Sequence, residues 1–124
     1  MTTQDEFMIR WAGSQAVITM PAEVDVTNAD EVRKALLSAA RPEVPVLVID
    51  MTRTTFCDSA GVHAVITAYR QTAQTGTQLR LAATSVRRIF TIIGADQLMP
   101  IYPALDAALA GAADGQASPL DPGR

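Results

Sequence analysis

Cysteine is nearly missing from this 124-residue chain. Cys57 stands alone, which excludes an internal disulfide and any zinc or iron–sulfur centre built from several thiolates. A lone thiol fits a reducing cytoplasm. Clustered positive charge is also lacking: the net charge is -3 and the basic residues are scattered, so no stripe or arm is available to neutralise a nucleic-acid backbone. Nucleic acid is therefore not an expected partner. No apolar run approaches the ~20 residues of a membrane-spanning helix. The start, Met1 to Glu6, has no basic segment leading into an apolar one, as an export signal would. A soluble cytoplasmic protein without a membrane partner is expected. His63 is the only histidine, and the chain contains neither a G-x-S-x-G elbow nor a glycine loop that cradles phosphate. No cofactor, metal or nucleotide site of its own is expected.

What is present is apolar material, 48% of the residues, enough for one domain to bury a core. Phe7, Ile9 and Trp11 alternate with Met8 and Arg10 as a half-buried strand does, and Gly13-Ser14 turns the chain into a second strand from Gln15 to Met20. Pro21 ends it, and an extended acidic segment runs to Val26. Thr27 or Asn28 caps a first helix, with Asp30 or Glu31 completing a capping box and Ala29, Val32, Leu36 and Ala39 or Ala40 as its stripe. Val46 to Ile49 is uninterrupted and mostly β-branched, the pattern of a central strand buried on both faces. A second helix is predicted over 60–75, with Val62, Val65 or Ile66, Tyr69 and Ala73 inward and Gly76 at its end. Leu79 and Leu81 mark a further strand. Thr84 or Ser85 caps a third helix whose inner face is Val86, Ile89, Phe90 and Ile93, closed by Gly94. Ile101-Tyr102 forms a short edge strand between prolines, and a last helix covers 104–110. Met8, Met20 and Met51 read as core or edge filling. The fold class that follows is α/β, a mixed four- to five-stranded sheet with about four helices: an antiparallel hairpin at one edge, then parallel strands joined through helices. The domain spans 5–112, and 113–124, poor in apolar residues, is expected to be a disordered tail.

One stretch has a different character. Thr55-Phe56-Cys57-Asp58-Ser59-Ala60-Gly61-Val62 joins the central strand to the second helix, so Asp58 and Ser59 fall where a helix begins. Free N–H groups and partial positive charge gather there, a natural seat for an anion. Local spacing alone favours a plain capping role for Ser59. Cys57 reads as a small packing residue at the strand end, and Arg87 and Arg88 as the wet face of the third helix.

Asp58-Ser59-Ala60-Gly61, after Phe56 and before a helix, resembles the D-S-[ST]-G-[LV] signature of the STAS domain in bacterial anti-sigma factor antagonists. Glu23-Val24-Asp25 is similar to that family's G-E-[LIV]-D, and Tyr69-Arg70 and Gly94 fall at matching places, so the likeness runs over roughly 7–110. The resemblance implies a protein that acts by binding and is not an enzyme. Its partners would be an anti-sigma factor that is also a serine kinase and supplies the ATP, and a serine phosphatase that resets the switch. It further implies that Ser59 is the phosphoacceptor, with Asp58, Asp25, Glu23, Ala60, Gly61 and His63 at the partner surface. The unphosphorylated form would bind and the phosphorylated form would not. Ala60 departs from the family's serine or threonine, His63 from its frequent glycine, and Ala22 from the glycine before the acidic pair. A weak homodimer is left open. The alternatives are a STAS subunit of a transporter or larger signalling complex and, further off, a small hydrolase using Cys57 or Ser59 with His63.

Overall fold

Four consecutive apolar residues at Val46–Ile49 need cover on both sides, and the fold supplies it. The structure is a computed structural model describing residues 7–111. It places them in β4 (Val46–Met51), the middle strand of a five-stranded sheet. The sheet runs β1 (Met8–Ala12), β2 (Gln15–Thr19), β4, β6 (Gln78–Ala83) and β7 (Ile101–Tyr102). The β1–β2 pair is an antiparallel hairpin turned at Gly13, whose φ of 66° suits glycine, and every later pairing is parallel. This is the mixed sheet expected, down to the short edge strand between Pro100 and Pro103.

Alternation along β4 sorts the two cores. Leu47 and Ile49 are buried with Val32 and Leu36 of α1 (Ala29–Ala39), Val62 and Val65 of α2 (Ser59–Thr72), and Phe90 of α3 (Arg87–Ile93). Val48 points the other way, into a smaller cluster of Val17, Ala82, Tyr102 and Ala108, the last from α4 (Leu105–Ala110). Arg80 lies under α4 on that side. One of its Nη groups donates to the Ala108 carbonyl at 2.9 Å, while its buried Nε has no partner among the described residues.

Several local expectations give way. Ile9 and Trp11 share the inward-facing parity of buried Phe7 but stay 51% and 54% exposed, because β1 has a neighbour on one side only. Met8 is also exposed, whereas Met20 and Met51 are buried. Asn28 does take the N-cap position of α1, yet its side chain turns back to accept from the Asp25 N–H and donate to the Glu23 carbonyl, both at 2.9 Å. No capping box forms, since the Asn28 side chain is used outside the helix, and Asp30 pairs with Arg33 and Lys34. Helix α2 starts one residue earlier and ends three earlier than predicted, the chain turning through 73–76 with Gly76 at φ 91° and Ala73 exposed. Neither Thr84 nor Ser85 caps α3; the Thr84 hydroxyl donates to the Pro103 carbonyl instead. That helix has seven residues, too short to keep the last of its predicted stripe inside, so Ile93 is exposed while Val86 and Phe90 are buried. The expected tail, 113–124, lies outside the described residues.

A second, two-stranded sheet was not expected. β3 (Glu23–Val24) pairs in parallel with β5 (Phe56–Cys57), stitching the acidic segment to the stretch that precedes α2.

Candidate functional site at the start of the second helix

The connection from β4 to α2 is polar and short of packing side chains, so its backbone needs partners elsewhere. It finds them on the segment after β2. The Thr54 hydroxyl donates to the Pro21 carbonyl at 2.8 Å, the Thr55 N–H to Ala22 at 2.8 Å, and the Asp58 N–H to Val24 at 3.2 Å. These bonds, with the β3–β5 pairing, fix where α2 begins.

Asp58, extended at φ -100° and ψ -175°, is the N-cap of α2. One carboxylate oxygen accepts the Gly61 N–H at 3.1 Å, satisfying a first-turn donor. The other accepts the Val26 N–H at 3.2 Å and so ties the loop before α1 to the start of α2. With capping assigned to Asp58, Ser59 has no such task. It is the first residue of the helix, exposed, and its hydroxyl makes no hydrogen bond among the described residues. The simple capping role for Ser59 is thereby removed.

Behind the hydroxyl the packing is tight. Gly61 is buried, and a Cβ placed on it would lie 2.7 Å from the Cys57 sulfur, 2.8 Å from a Val24 methyl and 3.0 Å from the Val24 carbonyl. Gly61 therefore lets α2 approach β3 and β5 closely. Burial, followed by the nearby Asp58 carboxylate, pushes the Cys57 thiol up to about 12, so it is an unreactive packing group.

Asp25 serves its own turn. Its carboxylate accepts from the Thr27 hydroxyl at 2.5 Å and the Thr27 N–H at 2.9 Å, and these bonds hold it below the usual carboxylate range. Glu23 is exposed on β3. Ala60 and His63 line a shallow hollow of about 320 Å³ between α1 and α2, together with Val26, Ala29, Asp30 and Arg33. The structure thus gathers Asp58, Ser59, Ala60 and His63 at the start of α2, with Glu23 on β3 and Asp25 on the loop that follows it.

Three contributors were not picked out from the sequence. Val26 and Phe56, 74% and 49% exposed, add apolar surface beside the polar loop. A large apolar side chain next to a turn gives no signal until burial is known. Val24, fully buried, is the wedge against Gly61, and only the β3–β5 pairing reveals it.

Residues 7–108 match the STAS domain. The chain belongs to that family. No curated protein matches it in sequence. Among solved structures, an anti-sigma factor antagonist from Mycobacterium paratuberculosis is similar at a TM-score of 0.77 and 24% identity, over 87% of this chain and 93% of that one. The Bacillus cell fate determinant SpoIIAA in its phosphorylated form is similar at 0.61 and 20%, over 84% and 96%. A sulfate transporter family protein from Wolinella succinogenes reaches 0.70 and 19%, over 90% and 93%. At these identities the likeness establishes the fold. In this STAS domain, no helix among the described residues is long and apolar enough to cross a membrane, and no three His, Cys, Asp or Glu side chains among them group to hold a metal ion.

Proposed function

We propose that this STAS domain is an anti-sigma factor antagonist that binds a kinase-type anti-sigma factor and is switched off by phosphorylation of Ser59. One observation carries the reading: the signature serine is exposed and its hydroxyl makes no hydrogen bond among the described residues, the preceding Asp58 serving as the helix cap. The γ-phosphoryl group of ATP held by the partner would pass to the Ser59 oxygen, whose proton leaves to a base of the partner as ADP departs. This chain contributes the acceptor and its presentation. It acts by binding, in the cytoplasm, and a serine phosphatase returns it to the binding form.

A phosphate there faces the open end of α2, where first-turn N–H groups and the helix dipole favour negative charge. The fold is preserved. The cost falls at the interface: a partner seated over Ser59, His63 and the hollow between α1 and α2 meets added bulk and nearly two negative charges beside Asp58. The expected weakening is roughly a hundredfold or more.

Incubation with a kinase-type anti-sigma factor and ATP should add one phosphate, located at Ser59 by peptide mass mapping. Ser59→Ala should bind that partner unmodified and Ser59→Asp should bind it poorly. Phosphate elsewhere in the chain, or equal binding by both variants, would overturn the reading. The likeness to a sulfate transporter family protein supports a second reading, in which the domain is a regulatory subunit of a transporter. Under that reading the kinase leaves Ser59 unmodified, and the domain is recovered with a membrane protein.

A further inference from the structure

The described molecule has one long strand edge with nothing paired to it. β1 is the outermost strand, bonded to β2 on one side only, and the five residues Met8–Ala12 contain no proline or lysine to discourage pairing. It is also apolar. Met8, Ile9 and Trp11 are 66%, 51% and 54% exposed, a larger group of exposed apolar side chains than any other single element shows. Beside them, on the α1 side of the sheet, is a hollow of about 320 Å³ lined by Phe7, Ile9, Ile18, Ala35 and Ser38.

We propose that β1 pairs antiparallel with β1 of a second copy of this chain, forming a two-fold dimer whose sheet is continuous across both molecules. The pattern along the strand selects both the occupant and the register. A two-fold axis through an antiparallel pair sets each residue against one on the same face of the sheet. An axis at Arg10 would set that cation against itself, which is destabilising. An axis at Met8 would leave Trp11 with no described residue opposite it, and one at Trp11 would set Ile9 against Gly13 in the hairpin turn. An axis at Ile9 brings Ile9 to Ile9, Trp11 to Phe7 and Met8 to the aliphatic stem of Arg10. In that register the Trp11 indole of each copy sits opposite the Phe7 of the other, at the mouth of the hollow that Phe7 and Ile9 line. Each molecule then offers one projecting ring and one hollow, as a self-complementary interface requires. A single five-residue strand with one aromatic anchor per side makes a weak dimer.

Analytical ultracentrifugation of the full chain from about 1 μM to about 1 mM should show the mass rising from monomer towards dimer. Ile9→Lys, at a half-exposed position, should weaken association at least tenfold with an unchanged circular dichroism spectrum. Register is read by cross-linking. Opposed Cβ atoms in such a pair are about 4.5–5.5 Å apart, within reach of a disulfide after small adjustment. Ile9→Cys should therefore oxidise to a covalent dimer well ahead of Arg10→Cys, and buried Cys57 does not compete. A monomer mass throughout the range, a dimer indifferent to Ile9→Lys, or preferential cross-linking of Arg10→Cys would each overturn the proposal. Ser59→Asp should leave association unchanged, so this proposal and the reading of Ser59 fail separately.

Discussion

Asp58 uses its two carboxylate oxygens on two different elements, and that division decides what Ser59 is free to do. Asp58→Ala should cost about 1–2 kcal/mol in urea unfolding. It should also speed hydrogen exchange at both Gly61 and Val26, a pair of amides far apart in sequence. Gly61→Ala is the harsher change, because two of its three close contacts are the Val24 carbonyl and a sulfur held by burial. We expect a loss of about 1–3 kcal/mol, with the α2 start displaced and phosphorylation of Ser59 slowed at constant kinase. Cys57 adds a pH dependence whose sign can be worked out. Its folded value is about 12 against an ordinary 9.0, so on raising the pH the unfolded chain releases its thiol proton first. Stability from this group is intact below pH 9 and falls between about 9 and 12. Denaturation curves at pH 8 and pH 10.5 should show this alkaline loss in the native sequence, reduced in Cys57→Ala.

Among the elements, α4 is held by an unusual device. Its first turn carries an acidic residue, Asp106, and its last turn no basic one, and the cation that meets the Ala108 carbonyl comes from the sheet below, as Arg80. Gln15 supports it by donating to the Leu109 carbonyl at 3.0 Å, and Gly111, at φ 70°, leaves space that a Cβ would take from the guanidinium. Arg80→Ala should lower stability by about 1–3 kcal/mol and raise exchange of the α4 amides above that of α1 and α2. This latch was not legible in the sequence, where Leu79 and Leu81 mark the strand and nothing local says that six residues towards the far end of the chain cover Arg80. The elements themselves were largely legible. Val46–Ile49 has no polar position to turn outward, and Pro42, Gly94, Pro100 and Pro103 punctuate the chain where the backbone does stop. Caps were less so, because Asn28, Thr84 and Ser85 can each satisfy a neighbour other than the helix, and tertiary geometry chooses. The candidate site was half legible: Ser59 and Asp58 by motif, but not the β3–β5 pairing, whose strands have two residues each and show no period.

For the molecule as a whole, the sheet separates two faces with different work. The helices α1, α2 and α3 bury the large core and present Ser59, while α4 covers a smaller patch behind. Phosphorylation would take a net charge of -3 to roughly -5, a modest change for a chain of this size. The thermal midpoint of the phosphorylated protein should stay close to that of the unmodified one, while partner affinity drops; differential scanning calorimetry beside a binding titration separates the two. The backbone bonds from Pro21, Ala22 and Val24 to the segment 54–58 have one more consequence. A protease needs to draw several residues of extended chain into its cleft, and here that means unstitching the small sheet first. The stretch that carries Ser59 is partly exposed, yet limited digestion of the native domain should leave it uncut. An enzyme that modified Ser59 would accordingly take the hydroxyl from a fixed surface, by shape, instead of reading a loose peptide.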